Sequence, residues 1–262
     1  MNAPDQPFIL REDHDGIATI TMNRGDRFNP LSAGMIVALI DAFETIAKDS
    51  LTRVVILKGG GRGFCAGHDL KEMNSNRSEE WFQTMFNSCS DLMIKITQMP
   101  QPVIAQVHGI ATAAGCQLTS MCDLAVAASD AKFALPGVNV GLFCSTPAVG
   151  VVRNIGRKRA MEMLLTGEPI SAQTALEWGL VNRVVPADQL EAETRKLAET
   201  IKSKSASVIA MGKHAFYQQV DKSLSGAYAM TGETMTKNME LSDNAEGFDA
   251  FLNKRHPHWT HR

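Results

Sequence analysis

Short β-branched runs alternate with longer stretches of helical period through residue 135, and helical patterns dominate afterwards. Residues 16–22 (GIATITM) alternate and read as a strand. Ser32 then stands where a helix cap belongs, and Ile36, Leu39, Ile40, Phe43, Ile46 and Ala47 fall on one helical face. A strongly apolar strand at 52–58 runs into a glycine-rich segment, 59–63. A helix is predicted over about 78–97, ending before Pro100 and Pro102, and a third strand at 103–107. Small residues at 111–115 then lead into the helical segment 116–122. Strands follow at 124–128 and 132–135, then helices at about 146–153, 157–165 and 171–178, the last closed by Gly179. A helix over about 187–203 and a broken helical region over 205–253 complete the pattern. It predicts an α/β unit with a helical C-terminal layer.

Composition narrows the class without naming it. Of 262 residues, 44% are hydrophobic and 21% charged, which excludes wholesale disorder. With 26 Lys and Arg against 28 Asp and Glu, the net charge of −2 argues against a nucleic-acid or polybasic membrane protein. No apolar run reaches the ~20 residues of a membrane span. Five cysteines, none in a CxxC pair, imply neither a disulfide framework nor a zinc site. A reduced, cytoplasmic protein is the expectation.

Two glycine-rich turns carry the candidate chemistry. Residues 59–70 (GGGRGFCAGHDL) lack a GxxxxGK[ST] nucleotide loop. Gly61-x-Gly63-x-x-Ala66 fits a relaxed dinucleotide fingerprint, but it lies in the second βα unit and Asn74-Ser-Asn76 interrupts the helix it would have to open. Residues 107–118 (VHGIATAAGCQL) form a second small-residue turn entering a helix. Two such turns, each after a strand, could direct two backbone N–H groups at one carbonyl oxygen, an oxyanion hole that needs no side chain.

The motifs resemble the crotonase (enoyl-CoA hydratase/isomerase) superfamily over nearly the whole chain. They are Ile20–Arg24 with Asn29-Pro-Leu31, Phe64–Met73, Pro102–Gly109, Ala114–Leu118, Cys122-Asp123, Leu165–Ala172 and Ala175–Val181. The resemblance implies a ββα-spiral core over residues 1–200, and a helical C-terminal region over 201–262 that builds a homotrimer or a dimer of trimers. It further implies lyase or isomerase chemistry of fatty acid metabolism on an acyl-CoA thioester, with no cofactor beyond the coenzyme A of the substrate and no metal. By motif position the oxyanion donors would be the N–H groups of His68 and of Ala114 or its neighbour Gly115. Coenzyme A would lie along Arg27, Phe28, Ala66, Asp69 and Leu70, and Phe251 and Lys254 would reach its adenine end, often across a subunit boundary.

The family's hydratases supply two glutamates, one to activate water and one to protonate the α-carbon. Those positions hold Gln117 and Gly137 here. Gln117 can hold a water but cannot take a proton near neutral pH, and Gly137 offers no side chain. The nearby segment 141–147 supplies Cys144, Ser145 and Thr146 but no carboxylate. Asp69 and Asp123 read as structural acceptors. His256, His258 and His261 sit on a C-terminal tail and do not read as a metal site. Two readings follow: an enzyme with altered acid–base chemistry, or a non-catalytic acyl-CoA-binding or interaction protein.

Overall fold

Strand β1 (Ile9–His14) pairs antiparallel with β2 (Ile17–Met22) through a hairpin whose two turn residues, Asp15 and Gly16, have φ of 49° and 73°. Positive φ at both positions is what a tight hairpin matching the strand twist requires. The structure, a computed structural model, describes residues 6–261.

From β2 the chain runs through α1 (Ala33–Ala47) into β3 (Val54–Gly59), then α2 (Leu70–Ser75), α3 (Glu79–Gln98) and β4 (Val103–Val107). The Ser32 hydroxyl accepts the Met35 N–H and caps α1, as the sequence predicted, and Ser78 does the same for α3 through Trp81. Next come β5 (Ile110–Thr112), α4 (Ala114–Met121), β6 (Leu124–Ala128) and β7 (Lys132–Ala134). Helices α5 (Ser145–Asn154) and α6 (Arg157–Thr166) precede β8 (Ile170–Ser171), α7 (Ala172–Trp178) and β9 (Arg183–Val185). Helices α8 (Leu190–Lys202), α9 (Ala206–Gln219), α10 (Leu224–Met239) and α11 (Ser242–Leu252) close the chain.

One sheet has the order β1-β2-β3-β4-β6-β9, parallel except at β1, and a smaller sheet has the order β5-β7-β8. Alternate residues of the large sheet face two separate cores. Ala18, Ile20, Val55, Leu57, Ala105 and Ala127 meet the apolar stripes of α1 and α3. Ile17, Val54, Ile56, Ile104 and Val126 meet Leu190 and Ala198 of α8. Burial on both faces explains why β3 and β4 read as unbroken apolar runs. The parallel strands also share one direction, so the turns after β3 and β4, at 60–69 and 108–113, emerge together at the carboxyl edge of the sheet.

Helix α9 is tied down by a buried ion pair. Lys213 Nζ donates to Asp123 Oδ2 at 2.7 Å, to the Ile96 carbonyl at 2.8 Å and to the Gln101 carbonyl at 2.9 Å. Tyr217, one turn on, donates to Asp123 Oδ1 at 2.9 Å, and the Val103 N–H donates to Oδ2 at 2.7 Å. Asp123 therefore has the structural role the sequence suggested, anchoring α9 to the start of β4. Burial lowers the Lys213 pKa, and the Asp123 carboxylate opposes that shift. Beyond this anchor the last helices bury little: among described residues only Ala215 is buried in α9 and none in α10. No helix among the described residues is long and apolar enough to cross a membrane.

Replacing Lys213 by Met leaves Asp123 buried without its cation, and breaking one side of such a pair destabilises by about 3–5 kcal/mol. Urea denaturation of Lys213→Met is expected to show a loss of that order, and a loss under about 1 kcal/mol would contradict the anchoring role.

Candidate functional site

The turn after β3 is built on Asn29, a fully buried side chain with φ of 50°. Its Oδ1 accepts the Arg24 N–H at 2.9 Å, while its Nδ2 lies within 2.9 Å of the Gly60 and Gly63 carbonyls and 3.1 Å of that of Phe64. The side chain thus satisfies groups from two loops that have no ladder of their own. Phe28, also at positive φ, accepts the Ala66 N–H on its carbonyl at 2.8 Å, and Arg62 stacks over its ring at 4.7 Å. Arg27 ends the 3-10 turn that leads into Phe28. The structure therefore brings Arg27, Phe28 and Ala66 of the expected coenzyme A path together.

The two glycine-rich turns are stitched to each other. Cys65 bridges Ala111 in parallel, the Thr112 N–H donates to the Cys65 carbonyl at 2.9 Å, and Thr112 Oγ1 donates to the Ala66 carbonyl at 3.0 Å. Gly67, at φ 91°, lies so close that an added Cβ would sit 2.8 Å from Ala113 Cβ and 3.1 Å from Ala114 N. A Cβ on Gly115 would run into the Cys65 carbonyl oxygen. These two positions accept no side chain because the backbones themselves are in contact. Ala113, just before α4, holds φ 50° and ψ −120°, which strains any L-residue other than glycine. Neither the His68 nor the Ala114 N–H donates to a backbone or side-chain acceptor among the described residues.

Asp69 caps α2: its Oδ1 accepts the Lys71 N–H at 2.9 Å and the Glu72 N–H at 3.2 Å, the structural role expected of it. Leu70 is exposed at the mouth of a cleft of about 370 Å³. Met73, Phe82, Phe86, Val140 and Leu142 complete the apolar wall of that cleft, with Asn74 and Arg77 as its polar edge. The His68 ring packs edge-on against Phe86, 5.6 Å between centroids, beside this wall.

Positions 117 and 137, where the resemblance expects glutamates, differ in character. Gln117 is buried in α4, and its Oε1 has no hydrogen-bond partner. Gly137 is buried in a 3-10 turn, Pro136–Val140. A Cβ there would collide with the Leu142 carbonyl oxygen and lie 2.8 Å from Cys144 Sγ. The segment after Gly137 has folded into the space a side chain would leave by. Cys144 is buried, and burial raises its thiol pKa against the pull of the Gly137 N–H. Burial likewise pushes the Cys65, Cys89 and Cys116 thiols up to about 12. A thiol nucleophile needs the opposite shift. Ser145 is exposed and bonds only weakly, at 3.4 Å, to the Phe143 carbonyl.

Phe251 and Lys254 lie at the end of α11, with Phe251 83% exposed. No hydrogen bond, ion pair or ring contact among the described residues joins them to the turns above. The C-terminal histidines do not converge: His261 meets Arg53 and Asp243, and no group of three His, Cys, Asp or Glu among the described residues could hold a metal. Sequence reasoning took Asn29-Pro-Leu31 only as a matching motif and missed both the loop-bridging Asn29 and the cleft-lining Phe82 and Phe86. An asparagine before proline beside a glycine-rich loop was the one available signal.

A family model for enoyl-CoA hydratase/isomerase matches residues 12–262. The chain is 47% identical to enoyl-CoA hydratase domain-containing protein 3, mitochondrial, of Xenopus laevis, over 97% of this chain and 86% of that protein. It is 45% identical to the Homo sapiens protein of the same description, over 94% of this chain and 82% of that one. The crystal structure of an enoyl-CoA hydratase from Mycobacterium smegmatis superposes with a TM-score of 0.95 at 51% identity, covering 97% of this chain and 99% of that chain. The cytoplasmic localisation expected from the sequence is corrected by these relatives, because the vertebrate proteins are described as mitochondrial.

Two substitutions test the local geometry. Ala113→Gly releases strain worth about 1–3 kcal/mol against a glycine entropy penalty of about 0.5–1 kcal/mol, so thermal unfolding is expected to show a net gain of about 1 kcal/mol. Gly137→Glu must displace backbone and is expected to destabilise by about 1–3 kcal/mol or more. A Gly137→Glu protein as stable as the wild type would mean that the segment has room for a carboxylate.

Proposed function

The chain belongs to the enoyl-CoA hydratase/isomerase family, and from that premise we propose that it binds an acyl-CoA thioester and polarises its carbonyl between the N–H groups of His68 and Ala114. The observation that carries this reading is the contact of the two turns, in which the Gly67 backbone packs beside Ala114 N. Two preorganised donors in a site screened from water stabilise negative charge on oxygen, each contributing roughly 10²–10³-fold to rate. The acyl chain would enter the cleft lined by Leu70, Phe82 and Phe86. Coenzyme A would follow Arg27, Phe28, Ala66 and Asp69, with no further cofactor.

Ordinary hydration is a poor fit to this site. A positioned acid or base is worth roughly 10²–10⁴-fold, and neither Gln117 nor Gly137 can serve as one. The chemistry we favour is lyase- or isomerase-type reaction through an enolate. The second reading, a non-catalytic acyl-CoA-binding protein, is favoured by one observation: the path of the second carboxylate is closed by the Leu142 carbonyl and Cys144.

We further propose assembly as a homotrimer or a dimer of trimers through the C-terminal helices. These helices leave Phe216, Tyr228, Met235 and Phe248 exposed, large apolar side chains that burial between subunits would remove from water. Phe251 and Lys254 would then reach a neighbouring subunit's nucleotide.

Calorimetry with butyryl-CoA is expected to show saturable binding. Hydration of crotonyl-CoA is expected to run at least a thousandfold below that of a relative with both glutamates, on the order of the combined loss of two such groups. Hydration at an ordinary family rate would overturn the argument from Gln117 and Gly137, and absence of butyryl-CoA binding would overturn the whole reading.

A further inference from the structure

We infer that the imidazole of His68, and not only its backbone N–H, takes part in the chemistry: its Nε2 is the base that exchanges a proton with the α-carbon of the bound thioester. This rests on the acyl-CoA reading above and deepens it, by naming a proton acceptor in a site that has lost both carboxylates.

The tautomer is fixed by the fold. Nδ1 lies 3.2 Å from the Leu31 carbonyl oxygen, which can only accept, so Nδ1 carries the proton. The same stretch of chain is held by the Leu31 N–H, which donates to the Gly67 carbonyl at 2.8 Å. Nε2 is left as an unprotonated lone pair, buried and without a hydrogen-bond partner. A buried acceptor with nothing to accept from is rare in folded proteins and calls for a ligand, a water or a catalytic role. Its position selects among these. The ring stands against Phe86, which lines the acyl cleft, and its own backbone N–H is one of the two groups assigned to the thioester oxygen.

Burial keeps the ring neutral through the physiological range, lowering its pKa against the opposing pull of the Leu31 carbonyl. The two acids that follow it in the chain are both engaged elsewhere. Asp69 accepts the α2 N–H groups, and Glu72 accepts the Ala33 N–H at 3.0 Å. Phe86 of α3 brings no charge. The ring is therefore a free base whose conjugate acid is unstable in the empty site and gains stability only beside a negative enolate. That differential favours the transition state over the ground state.

The step balances without a further reactant. The Cα–H bond breaks, its proton forms the Nε2–H bond, and the electron pair moves into the carbonyl. The resulting enolate oxygen is held by the His68 and Ala114 N–H groups. The Nε2–H trades its proton with solvent while the enolate persists, and return of a proton from Nε2 then restores the thioester, labelled at Cα when the solvent is deuterated.

Deuterium uptake at Cα of butyryl-CoA in deuterated buffer, read by mass spectrometry, tests this. The wild type is expected to incorporate deuterium, with a rate that rises with pH through a midpoint below the ordinary histidine value and is flat above it. His68→Gln retains the backbone N–H, so it is expected to bind butyryl-CoA within about threefold of the wild type while exchange falls at least about a hundredfold and loses the pH step. Exchange unchanged in His68→Gln, exchange in the wild type with no pH step, or binding without any wild-type exchange would each overturn the assignment while leaving the acyl-CoA reading intact. Absence of butyryl-CoA binding by the wild type would remove both. If His68→Gln fails to fold, the wild-type pH profile alone decides.

Discussion

The contact between two backbones, at Gly67 and Gly115, is what the site depends on. Gly115 rests on the Cys65 carbonyl, and Gly67 rests on the Thr112 carbonyl, the Ala113 Cβ and the Ala114 nitrogen. Everything nearby serves that approach. Asn29 gathers the free carbonyls of the first loop, Thr112 ties the second loop to it, and Ala113 accepts a strained conformation to start α4 at the right place. Strain at a functional turn persists only where the surroundings hold it, and here a parallel bridge and a buried asparagine do so.

What this frame surrounds is unusual in its electrostatics. The carboxylates of Asp69 and Glu72 are spent on capping and joining helices. The cysteines are buried and held as thiols. Two neutral side-chain acceptors in the residues of the two turns and α4, His68 Nε2 and Gln117 Oε1, are buried and unpaired. Position 137 is closed to a carboxylate side chain, because the following segment packs against the backbone there. On the function proposed above, a neutral ring beside two donors would suit moving one proton on and off carbon better than delivering hydroxide to a double bond.

Much of the fold was legible because periodicity is local. The buried strands 54–59 and 103–107 announce themselves by apolar runs, and the helix from 33 by its Ser32 cap and 3.6-residue spacing. β1 was missed because an edge strand half in water reads as polar, although its Asp15-Gly16 turn was a usable hairpin signal. β9 and the two-residue β8 were missed for another reason. Strands that short exist only because a neighbour is already in place to pair with them. Six-residue α2 is similar, held by its Asp69 cap and by the Glu72 bond to α1.

The sequence by itself determined the family motifs, the α/β class, and the absence of a carboxylate at 117 and 137, since each is written in residue identity and spacing. It also held the two small-residue turns, but as separate segments some forty residues apart. Only the tertiary structure decided that they touch, that Gly137 has no exit for a side chain, and which nitrogen of His68 bears the proton. The physical reason is the same in each case. Contact, excluded volume and hydrogen-bond pairing depend on what lies across space, and the partners here, Cys65 for Gly115, Leu142 for Gly137 and Leu31 for His68, come from elsewhere along the chain.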